Sequence, residues 1–359
     1  MFNTKRTSLV KRLWRHRLSP QHETQGATES PEELEIKSTA QSMLKRLKEK
    51  QLEVLLQSVE SKGGETTKCV MLPKGEKRFG RRCVSPQMLC CQLWRWPNLS
   101  DHTELKRLPC CQATDNPVEV CVNPFHWSIL RIPDPPSPTI SRPVLERVAK
   151  NTVTGCQIME EPSPVLETET GLTPPPYQQY VTDGSTGLPQ PHWCHIAYWE
   201  QRQRVGRLFP VCSSSISVFQ QLPHGDGMCL EILQDSQADD SVRKTREKIG
   251  FGVTLSRESD GVWLYNQSQN PVFVNSPTIG HPNTLSVYVC KVPPGHSLKI
   301  FDYDCSEFYE QIRDPQFTHG PVNAKSVRFS FAKGWGPCYT RQFVESCPCW
   351  VEVLLNTNR

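Results

Sequence analysis

Residues 326–355 read SVRFSFAKGWGPCYTRQFVESCPCWVEVLL. Two apolar-alternating runs, Val327 to Phe331 and Trp350 to Leu355, flank the loop Gly334-Trp335-Gly336-Pro337. A period of two over four to eight residues predicts half-buried strands. The loop needs glycine freedom in its backbone and is expected to hold out Trp335. Loops carried on rigid sheets are where recognition concentrates.

Working outward, similar runs occur at Ile216–Phe219, Gly252–Leu255, Val262–Tyr265, Val272–Val274, Leu285–Val289 and Leu298–Phe301, with Gly, Pro and Asn between them. Many short strands of this kind predict a β-sandwich over residues 192–359. One helix is predicted at Ser241–Ile249, capped by Asp240 or Ser241. It carries Arg243, Lys244, Arg246 and Lys248, a basic helix whose simplest reading is a solvated face.

Upstream, residues 132–191 change character. PDPPSP, EPSP, TPPPY and LPQP crowd together and aromatic residues almost vanish. The composition predicts a disordered, extended linker. Within it, Pro174, Pro175, Pro176 and Tyr177 spell PPxY, with Asp183 six residues on. A polyproline segment has little entropy left to lose and suits the aromatic groove of a WW domain; the plain alternative is a spacer.

Residues 31–131 read as a separate α+β domain. Ala40, Met43, Leu44 and Leu47, then Leu52, Leu55, Leu56 and Val59, predict two short helices with a break near residues 49–51. Strands and loops rich in cysteine follow. Cys111, Cys121 and His126 are spaced C-x9-C-x4-H, with Cys69 upstream. Three thiolates and an imidazole suit tetrahedral Zn2+. Buried thiols are the competing reading, and Cys110 or His102 could stand in as ligands. Residues 1–30 hold Lys5, Arg6, Lys11, Arg12, Arg15 and Arg17 near their start. They are expected to form a basic disordered tail, with nuclear import, nucleic-acid contact or organelle targeting as functional readings.

The chain has 359 residues and a net charge of +4, so no strong overall pull toward nucleic acid or membrane follows. No apolar run is long enough for a membrane span, and no membrane insertion is expected. Without a secretory pattern, the 16 cysteines read as thiols or metal ligands. No P-loop, dinucleotide fingerprint or nucleophile elbow appears, so no enzyme is expected.

The words LWRWPNLSDHTELKRL, VCVNPFH, WCHIAYWEQRQRVGRLF, GFGVTLS and FAKGWGPCYTRQF resemble the Smad (Mad-homology) family, in its inhibitory, BMP-directed branch. The resemblance implies a zinc-bearing N-terminal domain with Cys69, Cys111, Cys121 and His126 as ligands, register from Glu104 favouring Cys111. It implies a C-terminal domain that reads phosphorylated type I receptors of the TGF-β superfamily through Lys299, Lys333, Gly334, Trp335, Gly336, Tyr339 and Arg341. The PPxY word implies a Smurf-type ubiquitin ligase. Receptor-activated members continue into a Ser-x-Ser tail, and no serine follows Ser346 here, which the resemblance reads as the inhibitory form. Competition for activated Smads and residence in nucleus and cytoplasm follow on the same ground. Residues 73–87, PKGEKRFGRRCVSPQ, are basic but lack the family's DNA-reading hairpin pattern, so only weak, salt-dependent DNA contact is implied. A zinc-dependent DNA-binding repressor is the alternative. The corepressor word Pro-Leu-Asp-Leu-Ser is missing. The polar segment between Phe301 and Asn323 does not favour homotrimers.

Overall fold

Lys5, Leu9, Leu13 and Arg12 shape the first element. In the computed structural model, which describes residues 2–18, 31–79, 82–113, 117–133, 192–221, 227–233, 238–279, 288–311 and 325–356, Phe2–Arg15 is a helix, α1. Leu9 and Leu13 lie four apart and are buried, so one face of α1 joins the core of the N-terminal domain. The basic face is neutralised: Lys5 pairs with Glu49 and Glu53, and Arg12 with Glu60. This corrects the expectation of a disordered tail at its start: hydrophobic burial and ion pairing to a neighbouring helix order a run that charge alone left solvated. Residues 19–30 lie outside the described residues.

Helices α2 (Pro31–Leu44), α3 (Glu49–Glu60) and α4 (Pro86–Trp94) complete the helical layer. The break falls at residues 45–48, and the predicted apolar faces are buried. Strands β1 (Met71–Pro73), β2 (Lys77–Phe79), β3 (Arg82–Val84), β4 (Leu105–Arg107), β5 (Glu119–Cys121) and β6 (Trp127–Leu130) follow. β1 pairs with β5, and β2 with β3, both antiparallel. The β2–β3 ribbon occupies the basic segment that seemed to lack a hairpin pattern. Backbone pairing formed it without the expected residues.

The C-terminal region comprises β7 (Cys194–Glu200), β8 (Gln203–Val211), β9 (Ser215–Phe219), β10 (Gly227–Cys229), α5 (Asp240–Arg246), β11 (Val253–Glu258), β12 (Gly261–Asn266), β13 (Val272–Asn275), β14 (Cys290–Val292), β15 (His296–Asp302), α6 (Tyr303–Gln311), β16 (Ser326–Phe331) and β17 (Trp350–Leu355). The predicted strand at 285–289 falls mainly outside the described residues. A six-stranded sheet runs β14-β13-β16-β17-β7-β8, and a seven-stranded sheet runs β10-β9-β11-β12-β15-β6-β4. Between them Ile196, Tyr198, Leu255, Leu264, Ile300, Phe329 and Val353 form one buried core. This is the expected sandwich, with one addition. β6 pairs in parallel with β15, matching Ile129 to His296 and Leu130 to Ser297. The N-terminal domain therefore supplies two strands to the second sheet. Described residues of Met1–Asp134 and His192–Arg359 form one compact unit. The linker and its PPxY residues Pro174, Pro175, Tyr177 and Asp183 lie outside the described residues.

Candidate metal centre and recognition surface

β1 and β5 bring Cys69 and Cys121 together, because Val122 N–H donates to the carbonyl of Val70 just past Cys69. The chain then turns through a short 3-10 element, Pro124–His126, whose preceding Asn123 side chain accepts from the Phe125 N–H. Buried Asn123 also accepts from Ser58 Oγ and donates to Thr67 Oγ1. The turn delivers His126, and the Leu108 turn delivers Cys111. The donor atoms of Cys69, Cys111, Cys121 and His126 all lie within 4.8 Å of one another. Cys69 Sγ is 3.7 Å from Cys111 Sγ and 3.6 Å from His126 Nδ1, and Cys121 Sγ is 3.5 Å from that nitrogen. Tetrahedral zinc with bonds of roughly 2.0–2.3 Å would separate such donors by about 3.6–3.8 Å. His126 Nε2 faces the Thr67 carbonyl at 3.1 Å. Donating there leaves Nδ1 as the ligand nitrogen, the usual support for a metal-bound imidazole.

The electrostatics agree. A hydrogen bond from Cys121, then one from His126, pulls the Cys111 thiol down to about 4 against the penalty of burial. Cys121 is pushed up, first by sharing that proton with Cys111 and then by burial, and Cys69 is pushed up by burial. Three thiols and an imidazole gathered this closely, with spacings a tetrahedral ion would give, fit a metal ion, and the donor set is consistent with zinc. Cys110 stands outside the cluster. His102 is exposed and pairs with Asp101.

The loop after β16 departs from expectation. Trp335 is only 3% exposed and packs with Phe273, Val344, Cys347 and Trp350. It anchors the loop to the domain rather than being held out, because an indole beside a sheet end gains more by burial than by solvation. Gly336, at φ 96, donates its N–H to the Arg341 carbonyl at 2.7 Å. A Cβ at Gly334 would stand 2.6 Å from the Tyr339 ring, and that ring meets Phe273 edge-on at 5.4 Å. The two glycines thus let the loop close on its own aromatics. Pro337, Cys338, Thr340, Gln342 and Phe343 remain exposed, with Lys333 and Arg341 half-buried.

Lys299 sits apart from this loop, on β15 of the other sheet. It pairs with Asp260 at 2.7 Å and Asp302 at 3.0 Å. Burial disfavours its charge, but those carboxylates raise its pKa overall. A phosphate would have to displace two existing partners. The basic helix divides similarly. Arg246 is buried, with Nε and Nη2 each 2.7 Å from Glu200, whose Oε1 also accepts from Tyr198. Arg243 pairs with Asp240. Lys244 and Lys248 remain exposed. The tip of the β7–β8 hairpin meets the start of α5, because Gln201 Nε2 donates to Asp239 and Ser241. Gln201 N–H donates to Pro348, and the Trp350 indole to Gln201. Hairpin tip, α5 and the end of the loop therefore meet at one end of the six-stranded sheet. Sequence reasoning missed exposed Arg202 at the hairpin tip and exposed Arg204 and Arg207 along the edge strand β8. The signal was QRQRVGR, three arginines without an acid.

Residues 36–131 match the MH1 domain family and residues 191–356 the MH2 domain family. "Mothers against decapentaplegic homolog 6" of Gallus gallus is 45% identical over 334 residues, 91% of this chain and 76% of that protein. "Mothers against decapentaplegic homolog 7" of Mus musculus is 40% identical over 349 residues, 90% and 79% of the two chains. The human homolog 7 gives the same figures. The chain belongs to the Smad family, in its inhibitory branch. Smads are signalling and transcription regulators, and the MH2 domain is the part that meets receptors and other Smads. The basic end of the six-stranded sheet lies in this MH2 domain. The Cys3His cluster lies in the MH1 domain. α1 precedes the matched MH1 segment yet packs into its core.

Proposed function

We propose that this inhibitory Smad damps BMP receptor signalling by occupying phosphorylated type I receptors with its MH2 domain. The meeting of the start of α5, which carries exposed Lys244 with Lys248 just past its end, and the end of the loop that carries Lys333 and Arg341 supports this reading. Several cations around a phosphoserine give charge-assisted hydrogen bonds, roughly twice the strength of neutral ones. Competition for activated Smads follows from the same domain. The PPxY word, Pro174 to Tyr177, recruits a Smurf-type ligase through its WW domains, so that the bound receptor is marked for removal. Action at receptors and on transcription requires both cytoplasm and nucleus.

Zinc is the metal we assign to the MH1 cluster. It supplies a closed, redox-inert cross-link, while Cys69, Cys111, Cys121 and His126 hold the β1–β5 pair, the Leu108 turn and the Pro124 turn together. The MH1 domain offers a second reading, DNA contact, because the β2–β3 ribbon carries exposed Arg78 beside Lys74. Such contact would be salt-dependent and tolerant of sequence.

The receptor reading is tested with the full chain and purified type I receptor kinase domains, phosphorylated or phosphatase-treated. Binding that requires the phosphates supports it. Binding to neither form removes it. A Tyr177→Ala chain should lose WW-domain binding and keep receptor binding.

A further inference from the structure

The four residues of the MH1 cluster differ in what solvent can reach. Cys121 and His126 are buried, while Cys69 and Cys111 are half-exposed. The Sγ atoms of Cys69 and Cys111 stand 3.7 Å apart. Both residues lie outside strands, Cys69 ahead of β1 and Cys111 after the Leu108 turn. We infer that Cys69 and Cys111 are a peroxide-sensitive pair, whose oxidation to a disulfide expels the metal and loosens the seam where β6 of the MH1 domain joins β15 of the MH2 domain. This rests on the zinc reading above and adds to it a modification site with a consequence for both domains.

Zinc has no redox step of its own, so the electrons come from sulfur. The thiolate is the nucleophilic form of cysteine. One thiolate sulfur attacks an oxygen of hydrogen peroxide, the O–O bond breaks, hydroxide leaves and a sulfenic acid remains. The second thiolate attacks that sulfur, the S–S bond forms and another hydroxide leaves. Two thiolates and one peroxide thus become one disulfide and two hydroxides, and only Cys121 and His126 are left to hold the metal. Closing the 3.7 Å gap to a bond of about 2.05 Å brings the sulfurs together by roughly 1.7 Å, a shift that two loop residues can absorb. A cavity of about 490 Å³, lined by Thr67, Cys110, His126, Ser217, Thr254 and Gln267 among others, opens beside the cluster and gives a small polar oxidant room to approach. Cys110 is the competing thiol, but it stands outside the cluster.

The cluster sits at the end of the two strands that the MH1 domain lends to the seven-stranded sheet. The Leu108 turn, which follows β4, delivers Cys111, and His126 leads directly into β6. Leu108 N–H donates to the His126 carbonyl at 2.9 Å, and the Trp127 indole to the Cys121 carbonyl at 2.9 Å. From there β6 reaches the MH2 domain. Ser297 Oγ donates to Ser128 Oγ at 2.7 Å, and the amides of Ile129 and Arg131 donate to Gly295 and Ser297. Arg95 ties the same turn across the seam, donating to the carbonyls of Pro124 and Trp127 and, at 3.0 Å, to the Tyr265 hydroxyl. Loss of the metal therefore releases the turn that fixes β6 against β15.

The zinc-loaded full chain and its Cys110→Ser variant are titrated with hydrogen peroxide. Free zinc is read with a chromogenic chelator, disulfides by mass spectrometry of alkylated peptides, and amides 127–131 by hydrogen exchange. Both chains should release about one zinc per chain in step with a Cys69–Cys111 disulfide. Exchange at 127–131 should then quicken tenfold or more, and dithiothreitol with added zinc should reverse both changes. Zinc retained at peroxide levels that oxidise exposed Cys83 and Cys338 would overturn the inference and leave the zinc reading standing. Release with a Cys110–Cys111 disulfide instead, or release with unchanged exchange at 127–131, would also overturn it. A parent chain that holds no zinc removes both.

Discussion

Arg246 and Lys244 lie two residues apart on α5 and have opposite fates. Arg246 is buried against Glu200 and Tyr198, so Arg246→Ala leaves a buried carboxylate without its partner and should cost about 3–5 kcal/mol. Lys244→Ala should change stability by no more than about 0.5 kcal/mol. Urea unfolding of the two variants checks both numbers. Equal small effects would mean that the Arg246–Glu200 pair is not formed. Lys299 gives a pH test. Despite partial burial, its ion pairs and hydrogen bonds hold Asp260 and Asp302 below the ordinary carboxylate range and hold Lys299 above the ordinary lysine range. Depressed carboxylates contribute stability that is complete above their unfolded pKa of about 3.9 and lost as pH falls through the folded value; the raised lysine contributes below about pH 10.4 and is lost as pH rises through its folded value. The stability gap between the parent and Lys299→Met should therefore be flat from about pH 5 to 9 and close in acid. These groups are part-exposed, so the gap is small. At this scale the metal ligands were the most legible feature: donor type and spacing pointed to the cluster, and the family resemblance chose Cys111 over Cys110. Which lysines and arginines were available was less legible, because deciding partners such as Asp260 and Glu200 lie far away in the sequence. Asp260 and Asp302 flank Lys299 from a turn and a strand end, and Glu200 reaches Arg246 across 46 residues.

Elements show the same division. The sandwich strands could be read because alternation is local. The ordering of α1 could not, since it depends on Glu49, Glu53 and Glu60 of α3 and on buried contacts made by Leu9 and Leu13. Deleting residues 1–18 should destabilise the MH1 domain by several kcal/mol, each buried leucine alone contributing about 1.5–3 kcal/mol. Hydrogen exchange of α3 amides reports it directly; unchanged protection would return α1 to the status of a solvated tail. The recognition loop was half legible. Gly334 and Gly336 announced a constrained turn, but the direction of Trp335 depends on the pocket made by Phe273 and Trp350. Gly334→Ala drives a methyl group against the Tyr339 ring. Overpacking of this kind costs about 1–3 kcal/mol, and binding to the receptor domain should fall as the loop shifts.

Across the molecule, sequence separates two domains at a proline-rich linker, and the family matches follow the same division. The parallel β6–β15 pair crosses it. Ile129 N–H donates to Gly295 and Arg131 N–H to Ser297, while Lys106 pairs with Glu258 and lies 3.8 Å over the Trp263 ring. No local pattern announces a pairing between residues some 167 positions apart, as in Ile129 and His296. The cluster of Cys69, Cys111, Cys121 and His126 organises the segment leading into β6. Chelation of the metal from the full chain should unfold the MH1 domain and release about one zinc per chain, and a folded, metal-free domain would rule out the assignment. The most direct measurement for the whole molecule is equilibrium binding of the full chain to a type I receptor kinase domain before and after phosphatase treatment. Phosphate recognition at the basic sheet end predicts at least a tenfold loss of affinity on dephosphorylation, and a smaller loss once Lys244, Lys248 and Lys333 are neutralised. Equal affinity for the two receptor forms would contradict it.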